Sequence, residues 1–188
     1  MLRADARPPG GAATFTRPQW RLGDRFGLVS GDRAHDEFVV RDVTDDYYEL
    51  VDSRERLLRR DRDLGYLGQW RVENGDVVGV DVMAPADARY HWPLWVGKRW
   101  ECEFVERVRD RGAMPIRASY HVEALERITV PAGSFEALRI VRRMRLAAPD
   151  TDDLPTRVQI AWYAPAVGFE VRQLIGYSLV ELDSFRRP

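Results

Sequence analysis

Apolar and polar residues alternate with a period of two along most of this chain, which is typical of β-strands with one buried face. In the clearest case, Trp100, Cys102 and Phe104 alternate with charged residues such as Arg99 and Glu101. No segment keeps the i, i+3, i+4, i+7 apolar spacing of an amphipathic helix beyond two turns. The pattern predicts an all-β protein in which Trp100 and Phe104 face the core.

Turn residues divide this pattern into hairpins. In "QWRVENGDVVGVDVM" two strand-like runs flank Asn74 and Gly75, a pair that tolerates the positive φ angles of a type I′ turn. The run "FEVRQLIGYSLVELDSF" predicts one long final strand, bent at Gly176.

The stretch "ITVPAGSFEALRI" poses the question of a reactive serine. Ser134 follows a glycine, but a nucleophile elbow needs G-x-S-x-G between a strand and a helix, and the residues after Ser134 alternate like a strand. Proline, glycine and serine all suit a turn, so residues 131–134 are interpreted as a hairpin connection.

A short internal repeat divides the chain. "LGDRF" at residues 22–26 and "VGKRW" at residues 96–100 share an apolar residue, glycine, a charged residue, arginine and an aromatic residue. Both are preceded by a tryptophan and followed by a strand-like run. If the repeat is structural, the chain forms two successive antiparallel meanders in one sheet.

These patterns predict a single strongly curved antiparallel sheet or incomplete barrel, with a β-sandwich as the alternative. The prolines and glycines of residues 8–11 indicate a flexible leader over residues 1–18, and residues 19–188 are expected to form one domain. A chain of 188 residues is long enough for a core without disulfides.

Composition excludes some classes of function. The net charge of -1 gives no long-range attraction for nucleic acid. Cys102 is the sole cysteine, so it forms no intramolecular disulfide, and it is expected to be a small buried residue.

No apolar run is long enough for a transmembrane segment, and the N-terminus lacks the apolar core of a secretory signal. We therefore expect either a cytoplasmic protein or the mature form of an exported one.

Candidate catalytic and metal-binding residues are sparse. His121 and Glu123 share a strand face, which suits a metal or a base, but a solvated surface pair is favoured. Ser134, His121 and Asp150 form a triad by residue type alone, so no enzyme and no metal site are predicted.

Two charged segments are interpreted as surface structure. "PDTDDLPT", which holds Asp150, Asp152 and Asp153, lacks the glycine and glutamate of a strong calcium loop and is expected to be a polar hairpin loop. "RERLLRRDRD", residues 54–63, interleaves arginines with acids and predicts a solvated, self-paired hairpin.

Three segments resemble a family of uncharacterised bacterial proteins, the TapB-like family. "VPAGSFEALRI" and "WYAPAVGFEVR" are similar to its V-P-A-G-[TS]-F-x-A hairpin and its W-Y-x-P-x-V-G segment, and "PLWVGKRWECEF" to its P-x-x-V-G-x-x-W strand opening. The resemblance spans roughly residues 90–182. It implies a curved sheet like the half-barrels of periplasmic lipoprotein carriers and a location in the bacterial envelope, although the export signal or lipobox cysteine of such proteins is missing here.

The tryptophans and tyrosines at strand starts are the feature that points to a ligand, because a concave sheet without helices leaves space at its inner face. We predict a non-enzymatic binding module for an apolar ligand, a lipid or acyl chain, without cofactors. "RVQIAWYAP" places Val158 and Trp162 on one side and Tyr163 towards the other. The residues predicted to line the ligand are Trp100, Phe104, Val158, Trp162 and Tyr163. The alternative is an accessory subunit that docks on a larger envelope complex without a small ligand.

Overall fold

The computed structural model describes residues 1–31, 35–147 and 155–188, and these residues form thirteen β-strands. The prediction of an all-β protein is confirmed for the described residues. The strands are β1 (Arg3–Ala4), β2 (Arg25–Ser30), β3 (His35–Val43), β4 (Tyr47–Val51), β5 (Leu57–Asp61), β6 (Tyr66–Glu73), β7 (Asp76–Asp87), β8 (Arg99–Val108), β9 (Gly112–Val130), β10 (Gly133–Leu146), β11 (Arg157–Ala164), β12 (Phe169–Ile175) and β13 (Ser178–Arg186).

Strands β2 to β13 close into an antiparallel barrel. Each pairs with its neighbours along the chain, and β13 returns to pair with β2. Strand β8 pairs with β9 along the whole length of β8. The C-terminal half of β8 also pairs with β7, and the N-terminal half of β8 pairs with the two-residue β1. The predicted incomplete barrel was therefore too open and the alternative β-sandwich was wrong, because the β7–β8, β8–β9 and β13–β2 pairings join β2 to β13 into a closed ring.

The barrel divides into two halves of six strands, β2 to β7 and β8 to β13, and the first strand of each half begins with the same backbone contacts, as the repeat predicts. In the first half, Gly23 N–H donates to the Val40 carbonyl (2.8 Å) and Val40 N–H donates to the Asp24 carbonyl (2.8 Å). In the second half, Gly97 and Val122 form the matching bonds, at 2.7 Å to the Val122 carbonyl and 2.9 Å to the Lys98 carbonyl. Both glycines have positive φ, 86° and 96°, which explains why the repeat keeps a glycine there.

The predicted turns are found, with one correction. Asn74 and Gly75 have φ of 52° and 89° and join β6 to β7, as the type I′ prediction requires. Residues 131–132 join β9 to β10, and Ser134 lies in β10 opposite Thr129. The prediction of a single long final strand was wrong. Gly176, at φ 62°, lies where the chain reverses, so that β12 and β13 form a hairpin.

Aromatic residues from the two segments that precede β2 and β8 fill one end of the barrel. Trp20, Tyr90 and Leu94 are buried there, and Trp20 Nε1 donates to the Gly168 carbonyl at 2.8 Å. Trp20 contacts the rings of Phe26, Tyr48 and Phe169 at 5.3–5.6 Å. We call this the plugged end. Because the strands are antiparallel, the C-terminal ends of β2 and β10 lie at the opposite end, which we call the cavity end.

Parts of the predicted leader contact the barrel. Arg3 and Ala4 pair with β8, and Phe15 exchanges backbone hydrogen bonds of 2.8 Å with Leu94. The division of the chain at residue 19 stays a prediction.

The sole lysine lies at the plugged end. Lys98 is 1% exposed, and its Nζ donates to the carbonyls of His91 (2.6 Å) and Pro93 (2.7 Å). Nζ also lies 4.2 Å from the centre of the Trp95 ring. Burial lowers the pKa of Lys98 to about 8, because desolvation penalises the ammonium form.

We expect NMR of protein with ¹³C,¹⁵N-labelled lysine to show one titrating side chain with a midpoint near pH 8, instead of the ordinary 10.5. The folded state favours the neutral amine relative to the unfolded chain, so this group should make the protein more stable as the pH rises from 8 towards 10.5. A midpoint above about 10 would show that the two carbonyls and the Trp95 ring fully offset desolvation.

Candidate ligand-binding site

The larger of two neighbouring cavities lies against β8, β9 and β10 and has a volume of about 470 Å³. Its apolar lining includes Met83, Phe104, Met114, Ile116 and Met144. Phe104 pairs with Ile116 in the β8–β9 register, so the alternating positions predicted to face inwards do so. All methionines of the chain except Met1 line this cavity. We call it the methionine cavity; its unbranched, polarisable side chains can adapt to apolar ligands of different shape.

The second cavity, of about 340 Å³, is lined mainly by the first half of the barrel and also by β12 and β13. Leu28, Phe38, Leu50 and Leu58 form most of its apolar wall, and we call it the leucine cavity. Ser30 and His35 also line it, while Leu146 and Pro155 line the methionine cavity. Both cavities therefore extend towards the cavity end of the barrel.

A small chamber of about 40 Å³, with both apolar and polar lining residues, lies beside both cavities. Arg89, Arg142, Gln159, Gln173 and Glu170 contribute its polar lining. Gln159 also lines the methionine cavity and Gln173 the leucine cavity. Arg89 lines all three spaces. We call the 40 Å³ chamber the central chamber; it has room for a few water molecules or one small polar group.

Asp87, at the end of β7, is fully buried and accepts hydrogen bonds from several donors. Arg142 and Tyr120 donate to it, and Arg89 Nε lies 3.4 Å from its Oδ2. The Cys102 thiol lies 3.8 Å from Oδ1, and burial together with Asp87 raises the pKa of that thiol to about 11. Cys102 is thus buried as predicted, and its thiol is kept protonated at neutral pH.

Arg60 and Glu170 form a second buried ion pair, across the barrel from β5 to β12. Arg60 Nη1 and Nη2 donate to the two carboxylate oxygens at 3.1 and 3.3 Å. Burial raises the pKa of Glu170, but Arg60 and Tyr90 outweigh it, so the pKa stays below its ordinary value. The predicted solvated hairpin at residues 54–63 was therefore wrong for Arg60, because the closed barrel brings Glu170 opposite it.

Two acids line the methionine cavity opposite its arginines. Asp81 Oδ1 is buried and has no hydrogen-bond partner among the described residues. Burial, with Glu106 nearby, raises the pKa of Asp81. Glu106, Arg145 and Arg157 also line this cavity. The site as a whole combines apolar walls with charged groups, an arrangement suited to an amphipathic molecule.

Three of the five residues predicted to line the ligand lie inside the barrel. Trp100 and Tyr163 are buried in the core, where Trp100 stacks on Tyr120 at 4.9 Å. Phe104 lines the methionine cavity. Tyr163 contacts Tyr90 and Trp92 near the plugged end.

The other two, Val158 and Trp162, lie on the outer face of β11. The β10–β11 register is uninterrupted and pairs Gln159 with Arg142, which both line the cavities. The alternate positions Val158 and Trp162 therefore point outwards. Val158 is 46% exposed, and the prediction that it shares a ligand wall with Trp100 does not fit this register.

The candidate catalytic residues do not converge. His121 Nδ1 lies 3.8 Å from Glu123 Oε1, and burial, with Arg99 nearby, lowers the pKa of His121. His121 pairs with Val141, seven positions along β10 from Ser134, which is about 23 Å at the usual rise per residue. Asp150, Asp152 and Asp153 lie outside the described residues. Within the described ranges, His, Cys, Asp and Glu form no cluster of three or more that could hold a metal ion.

Sequence reasoning missed the interior arginines. Arg60, Arg89 and Arg142 come from β5, the β7–β8 connection and β10, so only closure of the barrel brings them together. The spacing of Met83, Met114 and Met144 on predicted strands was a signal that could have pointed to the methionine cavity.

Comparison with solved structures shows a shared fold. The hypothetical lipoprotein YmcC from Escherichia coli aligns with a TM-score of 0.56 at 11% identity, over 91% of each chain. A candidate lipoprotein from Parabacteroides distasonis aligns at 0.49 and 14% identity, over 92% of this chain and 99% of that one. A candidate exported protein with a YmcC-like fold from Bacteroides fragilis aligns at 0.43 and 14%, over 93% and 100%.

Sequence comparison adds no family. No family model matches the chain, and no curated protein matches it. The resemblance to the TapB-like family is therefore not confirmed. The fold is shared with the hypothetical lipoprotein YmcC, and it is a closed barrel, whereas the resemblance implied a half-barrel. No helix in the described parts of the chain is long and apolar enough to cross a membrane.

Proposed function

We propose that this protein is a non-enzymatic binding protein that holds an amphipathic ligand, a lipid or acyl chain, inside its barrel. The observation that carries the proposal is the methionine cavity of about 470 Å³, whose lining is mainly apolar and also includes charged residues. This volume lies within the usual range for small-molecule sites, roughly 300–1,000 Å³. A core filled only for stability would be packed without such a space.

The bacterial envelope is the proposed location. The fold is shared with YmcC, which is described as a hypothetical lipoprotein. A carrier of amphiphiles would meet its ligands there, where lipids are transferred between membranes and proteins.

A comparison of two variants on neighbouring strands tests the proposal. Met144 lines the methionine cavity from β10, and Val158 lies on the outer face of β11. We expect Met144→Glu to weaken binding of the uncharged fluorescent probe N-phenyl-1-naphthylamine at least tenfold, because a carboxylate in the apolar wall must be desolvated when the probe enters. Val158→Glu should leave the affinity unchanged. Fluorescence titration measures both.

Met144→Leu is the control for packing, since it removes no apolar wall and should keep the wild-type affinity. Circular dichroism and the unfolding midpoint check that each variant is folded. If the wild-type protein does not bind the probe, or if Val158→Glu weakens binding as much as Met144→Glu, the cavity is not the site. Native mass spectrometry of protein purified without detergent then identifies any ligand carried from the cell.

The alternative function is an accessory subunit that docks on a larger complex. Exposed apolar residues at the β12–β13 hairpin favour it: Ile175, Tyr177 and Leu179 are exposed beside the reversal at Gly176. An empty protein in native mass spectrometry, together with a crosslinked partner that is lost in Tyr177→Ser, would support this alternative.

A further inference from the structure

We infer that the ligand carries an anionic headgroup and that Arg89 binds it in the central chamber. This inference rests on the proposed function and specifies the chemical class of the ligand. It follows from three properties of the buried charges: their balance, the free donors of Arg89 and the position of Arg89 between the cavities.

The first property is a surplus of positive charge. The interior charge cluster consists of Arg60, Asp87, Arg89, Arg142 and Glu170. Arg60 and Glu170 form a bidentate pair. Asp87 forms the direct ion pairs with both remaining arginines, so these five residues hold three guanidinium groups and two carboxylates. Glu170 and Asp81 also attract Arg89, without a direct ion pair among the described residues. An uncompensated charge in a protein interior is costly, and an anionic ligand would neutralise it.

The second property is the unused hydrogen-bonding capacity of Arg89. The one hydrogen bond of its side chain among the described residues runs from Nε to Asp87, at 3.4 Å. Its guanidinium lies over the Tyr66 ring at 4.4 Å, which holds the plane of the group without using its donors. The Nη groups have no acceptor in the described parts of the chain, whereas those of Arg142 donate to Gln159 and Asp87. Two parallel Nη donors match a carboxylate or a phosphate.

The third property is position. The Arg89 side chain is 26% exposed, and it lines the central chamber, the methionine cavity and the leucine cavity. A headgroup bound to it would have Gln159 and Gln173 beside it, and also Glu170, whose carboxylate is paired with Arg60. An acyl chain could extend into either apolar cavity. The chamber of about 40 Å³ can hold a small anionic group but not a chain.

The test compares an anionic probe with an uncharged one. We expect Arg89→Gln to weaken binding of cis-parinaric acid about 10- to 100-fold, because charge-assisted hydrogen bonds contribute about 1.5–3 kcal/mol. Binding of N-phenyl-1-naphthylamine should change less than about twofold, since its contacts are apolar. Arg89→Lys should recover part of the cis-parinaric acid affinity by restoring the charge. Arg117→Gln, on the exposed surface, is the matched control for loss of one arginine.

Competition distinguishes the sources of the anion. Palmitic acid and lysophosphatidic acid, which share an acyl chain, are each titrated against bound cis-parinaric acid, and hexadecanol is the uncharged competitor. Stronger competition by palmitic acid indicates a carboxylate ligand, and stronger competition by lysophosphatidic acid a phosphate; either supports the inference. Equal competition by hexadecanol, or an equal loss of both probes in Arg89→Gln, would overturn it. If the wild-type protein binds only the uncharged probe, this inference fails and the proposed function stands; if it binds neither probe, both fail.

Discussion

Asp87→Asn is expected to lower the free energy of unfolding by about 3–5 kcal/mol, because the change leaves the buried Arg142 and the partly buried Arg89 without their carboxylate. Asp87 is fully buried, so water cannot replace the lost charge. The unfolding midpoint should fall by about 6–20 °C for a chain of this length. Urea unfolding at pH 7, followed by tryptophan fluorescence, measures the loss.

The control for this variant is Glu103→Gln, which breaks an ion pair of the same kind on the surface. Glu103 accepts from Arg117 at 2.6 Å, and both side chains are well exposed. The unfolding midpoint of this variant should stay close to that of the wild type, since water solvates the remaining charge. If Asp87→Asn changes stability no more than Glu103→Gln, the interior charge cluster does not hold the barrel together.

Arg60→Met is expected to produce the second large effect, a loss of about 3–5 kcal/mol at pH 7, because Glu170 is left as an unpaired buried carboxylate. The loss should depend on pH in a defined direction. In the wild type the pKa of Glu170 lies below its ordinary value of 4.5, so its stabilising contribution is present above pH 4.5 and is lost as the pH falls. In the variant, burial is no longer offset by Arg60, and the pKa of Glu170 should rise above that value. The difference between the two proteins should therefore shrink from pH 7 to pH 4.5.

Two comparisons separate this charge effect from simple loss of packing. The double variant Arg60→Met with Glu170→Leu removes both charges and should recover much of the stability, as apolar replacements of buried ion pairs often do. Urea unfolding at pH 7 and pH 4.5 measures all three proteins. A loss in Arg60→Met that is the same at both pH values would show that contacts of the Arg60 side chain with Leu64 or Trp20, rather than the charge of Glu170, account for it.

The local structure was largely predictable because it depends on neighbours in sequence. The alternation at Trp100 and Phe104 predicted a strand and its buried face, and Asn74 with Gly75 predicted a hairpin through their tolerance of positive φ. The error at Gly176 has the same local origin, because a single glycine in an alternating run is compatible with either a bend or a full reversal.

The site was predictable only in part, because it depends on which strands pair. Val158 and Tyr163 both lie in β11, but the register with β10 decides that Tyr163 faces the core and Val158 faces outwards. Arg60 was expected in solvent because nothing in its own segment reveals Glu170, which is 110 residues away. Ion-pair partners so far apart in sequence can be identified only from the closed barrel, in which their strands face each other.

By itself, the sequence determined that the chain is all-β and where several of its hairpin turns lie, and a short repeat indicated that two parts of the chain begin alike. These properties follow from residue-level preferences: side-chain alternation, the φ angles that glycine and asparagine allow, and a repeated motif. The tertiary structure alone decided that the two halves close into one barrel, and that Arg60, Arg89 and Arg142 meet beside two apolar cavities. Alternation gives every strand two faces, and only the pairing of distant strands determines which face encloses the interior.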